Sequence, residues 1–178
     1  MRSKMDRRTF LKAAGGAVLA AVLAGCGGTS TAGNELTKQD VVDIINDAMK
    51  SLGRDLRGVE TDEMDHTAEI LLETAQTRYE SDQSKSVLEL LTSKEAIQAA
   101  QIDTQKETYH INLSTNPGSI GITSMEEQKK YITDSFSRNR KIIGEDRVNK
   151  KDTVNVGIAF GKIGQTEYII LLQRVYSE

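Results

Sequence analysis

Apolar residues recur along the chain with two different periods, and the change between them divides the fold. From Thr37 the positions Val41, Ile44, Ile45, Ala48 and Leu52 share one helical face, with Asp40 completing a capping box and Gly53 supplying the stop. A second helix is predicted from Thr61 to Tyr79 on the stripe Met64, Ala68, Leu71, Leu72, Ala75 and Tyr79. Two shorter helices follow, over Ser86–Leu91 and Lys94–Gln101, the latter behind a Thr92-to-Glu95 capping box. At Thr108 the period drops to two. Tyr109, Ile111 and Leu113 alternate with Thr108, His110 and Asn112, the pattern of a half-buried strand that ends at the turn Asn116-Pro117-Gly118. Ser124 and Glu127 then cap a helix to about Arg138, with Tyr131, Ile132 and Phe136 inward. After a polar loop from Arg138 to Asp152, Val154, Val156, Ile158 and Phe160 alternate cleanly. A Gly161-to-Gln165 turn leads into the continuous apolar run Tyr168 to Leu172, which predicts a central strand buried on both faces. The expected class is α+β: helices on both sides of a small antiparallel sheet, an α-β-α sandwich, with the C-terminal hairpin inside the sheet.

The N-terminus follows neither pattern. Arg2, Lys4, Arg7, Arg8 and Lys12 crowd the first 12 residues, and no charge then appears before Glu35. The uncharged segment Ala13–Ala24 is 12 residues long, short of the roughly 17 to 25 that span a bilayer as a helix. This is the profile of an export signal. Asp6-Arg7-Arg8-Thr9-Phe10-Leu11-Lys12 resembles the twin-arginine export motif, with Arg7, Arg8, Phe10 and Leu11 at its defining positions. Leu23-Ala24-Gly25-Cys26 resembles a lipoprotein lipobox, in which cleavage precedes the Cys and the Cys is acylated. The expected organisation is a signal peptide over 1–25, a lipidated Cys26 with a small, polar tether over 26–35, and one domain over 36–178. The expected location is the extracytoplasmic face of the cell membrane, or the envelope.

Composition narrows the partners. With 38% hydrophobic and 28% charged residues the chain is globular in proportion, and 14 Gly without a period exclude a repeat array. The residues after Gly25 hold 18 basic and 25 acidic groups, a net charge of −7. Nucleic acid is therefore not an expected partner. Cys26 is the sole cysteine, so no internal disulfide forms and the core alone must hold the domain. The expected partners are the membrane, through acylated Cys26, and an envelope ligand or protein.

The order of elements, with particular residues, resembles the CAP superfamily, the cysteine-rich secretory, antigen 5 and pathogenesis-related-one proteins, also called SCP-like. Val41 to Gly53 is similar to that family's opening helix, and Tyr109-His110-Ile111-Asn112-Leu113 is similar to its strand motif Tyr-Gly-Glu-Asn-Leu. Ser124 to Ile143 is similar to its Ser-x-x-His-Arg-x-Asn-Ile-Leu region, and Val156 to Phe160 to its final hairpin, while residues 81–106 match no motif. The resemblance implies a cleft that would include Tyr109, His110, Asn112, Tyr131, Arg138 and Asn139. It also implies a site of two His and two Glu able to hold a zinc-like ion. Here the motif's Glu is Ile111, and its second His falls on Arg138 or Asn139. No metal and no cofactor are therefore expected.

The remaining chemistry is sparse. His66 sits among Asp62, Glu63, Asp65 and Glu69 at a helix start, where acids suit the dipole, and a solvated face accounts for it. No serine can be paired with either histidine, His66 or His110, so no catalytic residue is nominated. Arg138, Arg140, Lys141, Arg147, Lys150 and Lys151 form the one basic cluster, expected to be a solvated loop. The expectation is a non-catalytic binding or interaction domain, with a metal-dependent envelope hydrolase or a structural lipoprotein as alternatives.

Overall fold

A computed structural model of the chain describes residues 35–51, 57–104, 107–138 and 153–176. The predicted export signal, Cys26, most of the tether, Leu52, Gly53 and the loop over 139–152 lie outside them. Helix α1 (Lys38–Ser51) begins at a complete capping box. The Thr37 backbone N–H and hydroxyl donate to the Asp40 carboxylate at 3.0 and 2.7 Å, and the Asp40 N–H donates back to Thr37 Oγ1 at 3.1 Å. Those bonds hold the Asp40 carboxyl below its ordinary range, the Thr37 hydroxyl contributing most. Val41, Val42, Ile44, Ile45 and Met49 form the buried stripe of α1.

A strand not foreseen in the sequence follows: β1 (Arg57–Glu60) has four residues, too few to show a period. It pairs parallel with β3 (Thr153–Ile163). The sheet is consequently mixed rather than antiparallel. Helix α2 (Asp62–Ser81) is capped by Thr61, whose side chain accepts from the Met64 N–H. Helix α3 (Val87–Leu91) starts at a Ser86–Glu89 capping box. Helix α4 (Lys94–Ala99) is capped by Ser93 rather than Thr92, because the Thr92 hydroxyl is turned back to donate to Leu88 O at 2.8 Å. It also stops at Ala99, and Gln101 takes a left-handed φ of 56°.

Strand β2 (Glu107–Thr115) is followed by a 3-10 turn at Pro117–Ile120 and by α5 (Met125–Arg138). Strands β3 and β4 (Thr166–Tyr176) form the C-terminal hairpin, turning at Gly164-Gln165. The hairpin is tighter than the predicted Gly161-to-Gln165 turn, since pairing continues through Ile163 opposite Thr166. Gly164 supplies the φ of 62° that this two-residue turn needs.

Strand order is β1-β3-β4-β2, so the hairpin occupies the two central positions. Ile169, Ile170, Leu171 and Leu172 of β4 are fully buried, each worth roughly 1.5 to 3 kcal/mol on leaving water. Helices α1 and α5 cover one face with Val154, Val156, Ile158, Ile169 and Leu171. Helices α2, α3 and α4 cover the other with Ala159, Ile163, Ile170 and Leu172. This is the expected α-β-α sandwich. None of the described helices is long and apolar enough to cross a membrane.

Candidate functional site

The polar side of β2 is where the structure departs most from an ordinary core. Side chains alternate along a strand, and Tyr109, Ile111 and Leu113 pack against the α2–α4 core. His110, Asn112 and Ser114 therefore turn to the layer of α1 and α5. Register sets His110 beside Gln173, Asn112 beside Leu171 and Ser114 beside Ile169, with Val156 on the far side of Gln173. The polar face is the more deeply buried one: Asn112 is 4% exposed, Ser114 3% and Gln173 0%, whereas His110, like Tyr109, Ile111 and Leu113 on the apolar face, is half-buried. The sequence shows the alternation but not that β2 is an edge strand lying under α5.

Hydrogen bonding in this layer is incomplete. From α5, buried Gln128 donates through Nε2 to Ile122 O at 2.8 Å, and the Ser114 hydroxyl donates to Thr115 O at 3.2 Å. Among the described residues, Asn112 Nδ2 and both amide atoms of Gln173 are buried without a partner. Leaving such an atom unmet costs on the order of 1 to 3 kcal/mol. Two amide donors and one acceptor, set diagonally on one sheet face, match the edge of a carboxylate, amide or hydroxyl ligand. They do not make a nucleophile and base. Ser114 and His110 stand four residues apart on one strand, about 13 Å at the strand rise, beyond hydrogen-bond reach.

Of the cleft expected from the sequence, His110, Asn112 and Tyr131 share the α1/α5 layer, where Tyr131 packs on its core. Tyr109 does not join them. Its hydroxyl accepts from Arg174 Nε at 3.0 Å on the α2 side, the guanidinium lies 5.5 Å from its ring centroid, and Arg174 also pairs with Glu63 at 2.6 Å. Arg138 closes α5, and Asn139 lies outside the described residues, as do Cys26, Arg7, Arg8, Phe10 and Leu11. Ile111, which holds the place of the resembled motif's Glu, faces away from Asn112. A concavity of about 420 Å³ opens on the α3–α4 side of β2, lined by Leu88, Glu89, Ile97, Ile102, Tyr109 and Ile111.

The acids around His66 have separate roles. His66 is exposed, but Asp65 is 8% exposed. Asp65 Oδ1 accepts from the Ile158 N–H at 2.7 Å, and Oδ2 accepts from Lys38 Nζ at 2.7 Å, which also donates to Glu69 at 3.2 Å. The Ile158 N–H points where β1 has already ended, so the carboxylate takes the place of a strand. Burial works against the Lys38 ammonium, but its bonds to Asp65 and Glu69 outweigh that and raise its pKa. Desolvation, then the neighbouring Asp65, raises that of Glu60. Among the described residues no group of three His, Cys, Asp or Glu is placed to hold a metal ion.

No family model, curated protein or solved structure matches this chain. The residues and their geometry are therefore the basis for function.

Proposed function

We propose that this chain is an exported, membrane-anchored lipoprotein whose folded part is a non-catalytic, CAP-like binding domain. The address rests on the sequence, with Arg7-Arg8-Thr9-Phe10-Leu11 ahead of Leu23-Ala24-Gly25-Cys26. The CAP likeness rests on the strand and helix motifs alone. For binding, the observation that carries the reading is the pair of buried amides, Asn112 and Gln173, held in the α1/α5 layer with three polar atoms unmet. A core that tolerates such a cost at fixed positions keeps hydrogen-bonding capacity for a ligand, and Ser114 out of reach of His110 favours recognition over bond cleavage.

Two measurements on the full chain test this. Metabolic fatty-acid labelling should be lost in Cys26→Ser, and export should stop when Arg7 and Arg8 become Lys; label retained by Cys26→Ser, or unchanged export, removes the anchor or the route. Zinc calorimetry addresses the domain. Binding tighter than roughly micromolar that disappears in His66→Ala or His110→Ala would replace the binding domain with a metal-dependent hydrolase.

A further inference from the structure

We propose that α5 is a lid over the buried amides, and that a ligand reaches Asn112 and Gln173 when this helix lifts from β2. The inference rests on the binding reading of that layer and adds how the layer opens. The amide atoms in question, unpaired among the described residues, are sealed from solvent. On that reading one of the two helices covering them has to move.

Helix α1 is fastened on both sides. The Asn46 side chain accepts from the Gly58 N–H at 2.7 Å and donates to Gly58 O at 3.3 Å, which ties α1 to β1. Lys38 ties its first turn to Asp65 of α2 at 2.7 Å. Five apolar side chains, Val41, Val42, Ile44, Ile45 and Met49, are buried along it. Helix α5 packs on β2 and α1 with a more polar surface, since Gln128 is buried alongside Ile132 and Phe136. It is held to α1 by an ion pair, Lys129 Nζ to Asp40 Oδ1 at 3.1 Å, between partly exposed side chains. Such a pair contributes little in water. Beneath α5 the buried side chains of β2 are Asn112 and Ser114, so this part of the contact brings no hydrophobic gain.

The approach to α5 supplies a pivot. The chain leaves the 3-10 turn through Gly121, which stands at φ 86° with nothing within 4 Å of a Cβ placed there. Ile122 and Thr123 then lead to Ser124, where the helix begins to be capped. Hinges are commonly short links of this kind, which absorb a backbone rotation without a steric clash.

The test needs no ligand and uses the full chain carrying Cys26→Ser, which leaves no native thiol. A cysteine is added at Asn112 or Ser114 under α5, or at Ala75, fully buried beneath α2. Iodoacetamide should label Asn112→Cys at least about tenfold faster than Ala75→Cys, at a rate nearly independent of dilute denaturant, because lifting one helix exposes little surface. Labelling of Ala75→Cys should rise steeply with denaturant, since it waits for global unfolding. Ser114→Cys, nearly isosteric, decides alone if Asn112→Cys does not fold. Hydrogen exchange separates a lifted helix from a frayed strand. At 14 residues, α5 has about the length at which an isolated helix is marginal. Its amides should therefore exchange with the opening, while the β2 amides bonded to β4 stay protected. Labelling of the cysteines under α5 no faster than Ala75→Cys and with the same denaturant dependence, or β2 amides exchanging as fast as those of α5, overturns the lid. The binding reading stands or falls separately, on whether Gln173→Leu costs stability.

Discussion

The two faces of the sheet solve the same covering problem in different ways. On the α2 side the helix comes so close that a Cβ on Gly157 would lie 2.0 Å from Met64 O, so backbone rests on backbone. Asp65, one residue further along α2, reaches past the end of β1 to the Ile158 N–H. The Ile158 N–H thus has its acceptor at the contact, and the unmet donor on this helix, Arg78 Nε, lies in its last turn. On the α5 side the helix covers Asn112, Ser114 and Gln173, and three buried amide atoms remain unmet. The difference is one of fit: one face is packed to the limit of contact, while the other leaves buried amide atoms unmet at a cost in stability.

The largest effect should come from breaking the close face. Gly157→Ala must push α2 away from β3, because the colliding atoms are backbone and cannot change rotamer. Overpacking typically costs about 1 to 3 kcal/mol, and a rigid backbone clash belongs at or above the top of that range. A thermal melt lowered by less than a few degrees would show that α2 can shift freely. Asp65→Ala comes next. It leaves the buried Ile158 N–H without its acceptor and Lys38 without its shorter bond, a loss of about 2 kcal/mol once the partial exposure of Lys38 is discounted. Asp65→Asn keeps an acceptor oxygen for Ile158 and should recover about half of that in denaturant melts.

Much of the close face was legible in the sequence and little of the other. Thr61, Met64, Ala68, Leu71 and Leu72 announce α2 because a long amphipathic helix repeats its signal several times. The run at Ile169–Leu172 announces a central strand because both faces are apolar. Strand β1 was missed because four residues carry no period, and with it went the reason for Asp65, whose partner Ile158 lies 93 residues away. The polar layer is less legible for a different reason. Alternation in β2 identifies two faces of a half-buried strand but does not say which is covered, and the burial of Asn112 and Ser114 shows only once α5 is seen above them. Only part of the cleft suggested by resemblance is assembled, since Tyr109 lies across the sheet with Arg174.

The comparison can be sharpened on the α5 face by removing an unmet amide. Gln173→Leu replaces a fully buried, unpartnered amide with an apolar side chain of similar size, flanked by Val156 in β3. The expected change is neutral to about 1 kcal/mol stabilising, opposite in sign to both substitutions on the other face. Denaturant unfolding gives the sign directly. A loss above about 1 kcal/mol would mean that the amide stabilises the free domain, and the argument that it is held for a ligand would fall.

The smallest expected effect lies where β1 runs into α2 and depends on pH. Desolvation, followed by the hydrogen bond and charge of Asp65, holds the Glu60 carboxyl above its ordinary value of 4.5. A carboxyl with a raised folded-state pKa keeps its proton in the fold after the unfolded chain has lost it. Its contribution is therefore complete below pH 4.5 and is lost as pH rises through the higher folded value. Asp40 acts in the opposite sense: its lowered pKa stabilises the fold above 3.8, and that is lost as pH falls through the folded value. Glu60→Gln should consequently melt slightly higher than wild type at pH 7 and level with it at pH 3, while Asp40→Asn should melt lower at pH 7 and approach wild type in acid. Parallel melting curves across that range for Glu60→Gln and wild type would show that Glu60 is well solvated, leaving Asp65 as the one carboxylate the close face has drawn into its interior.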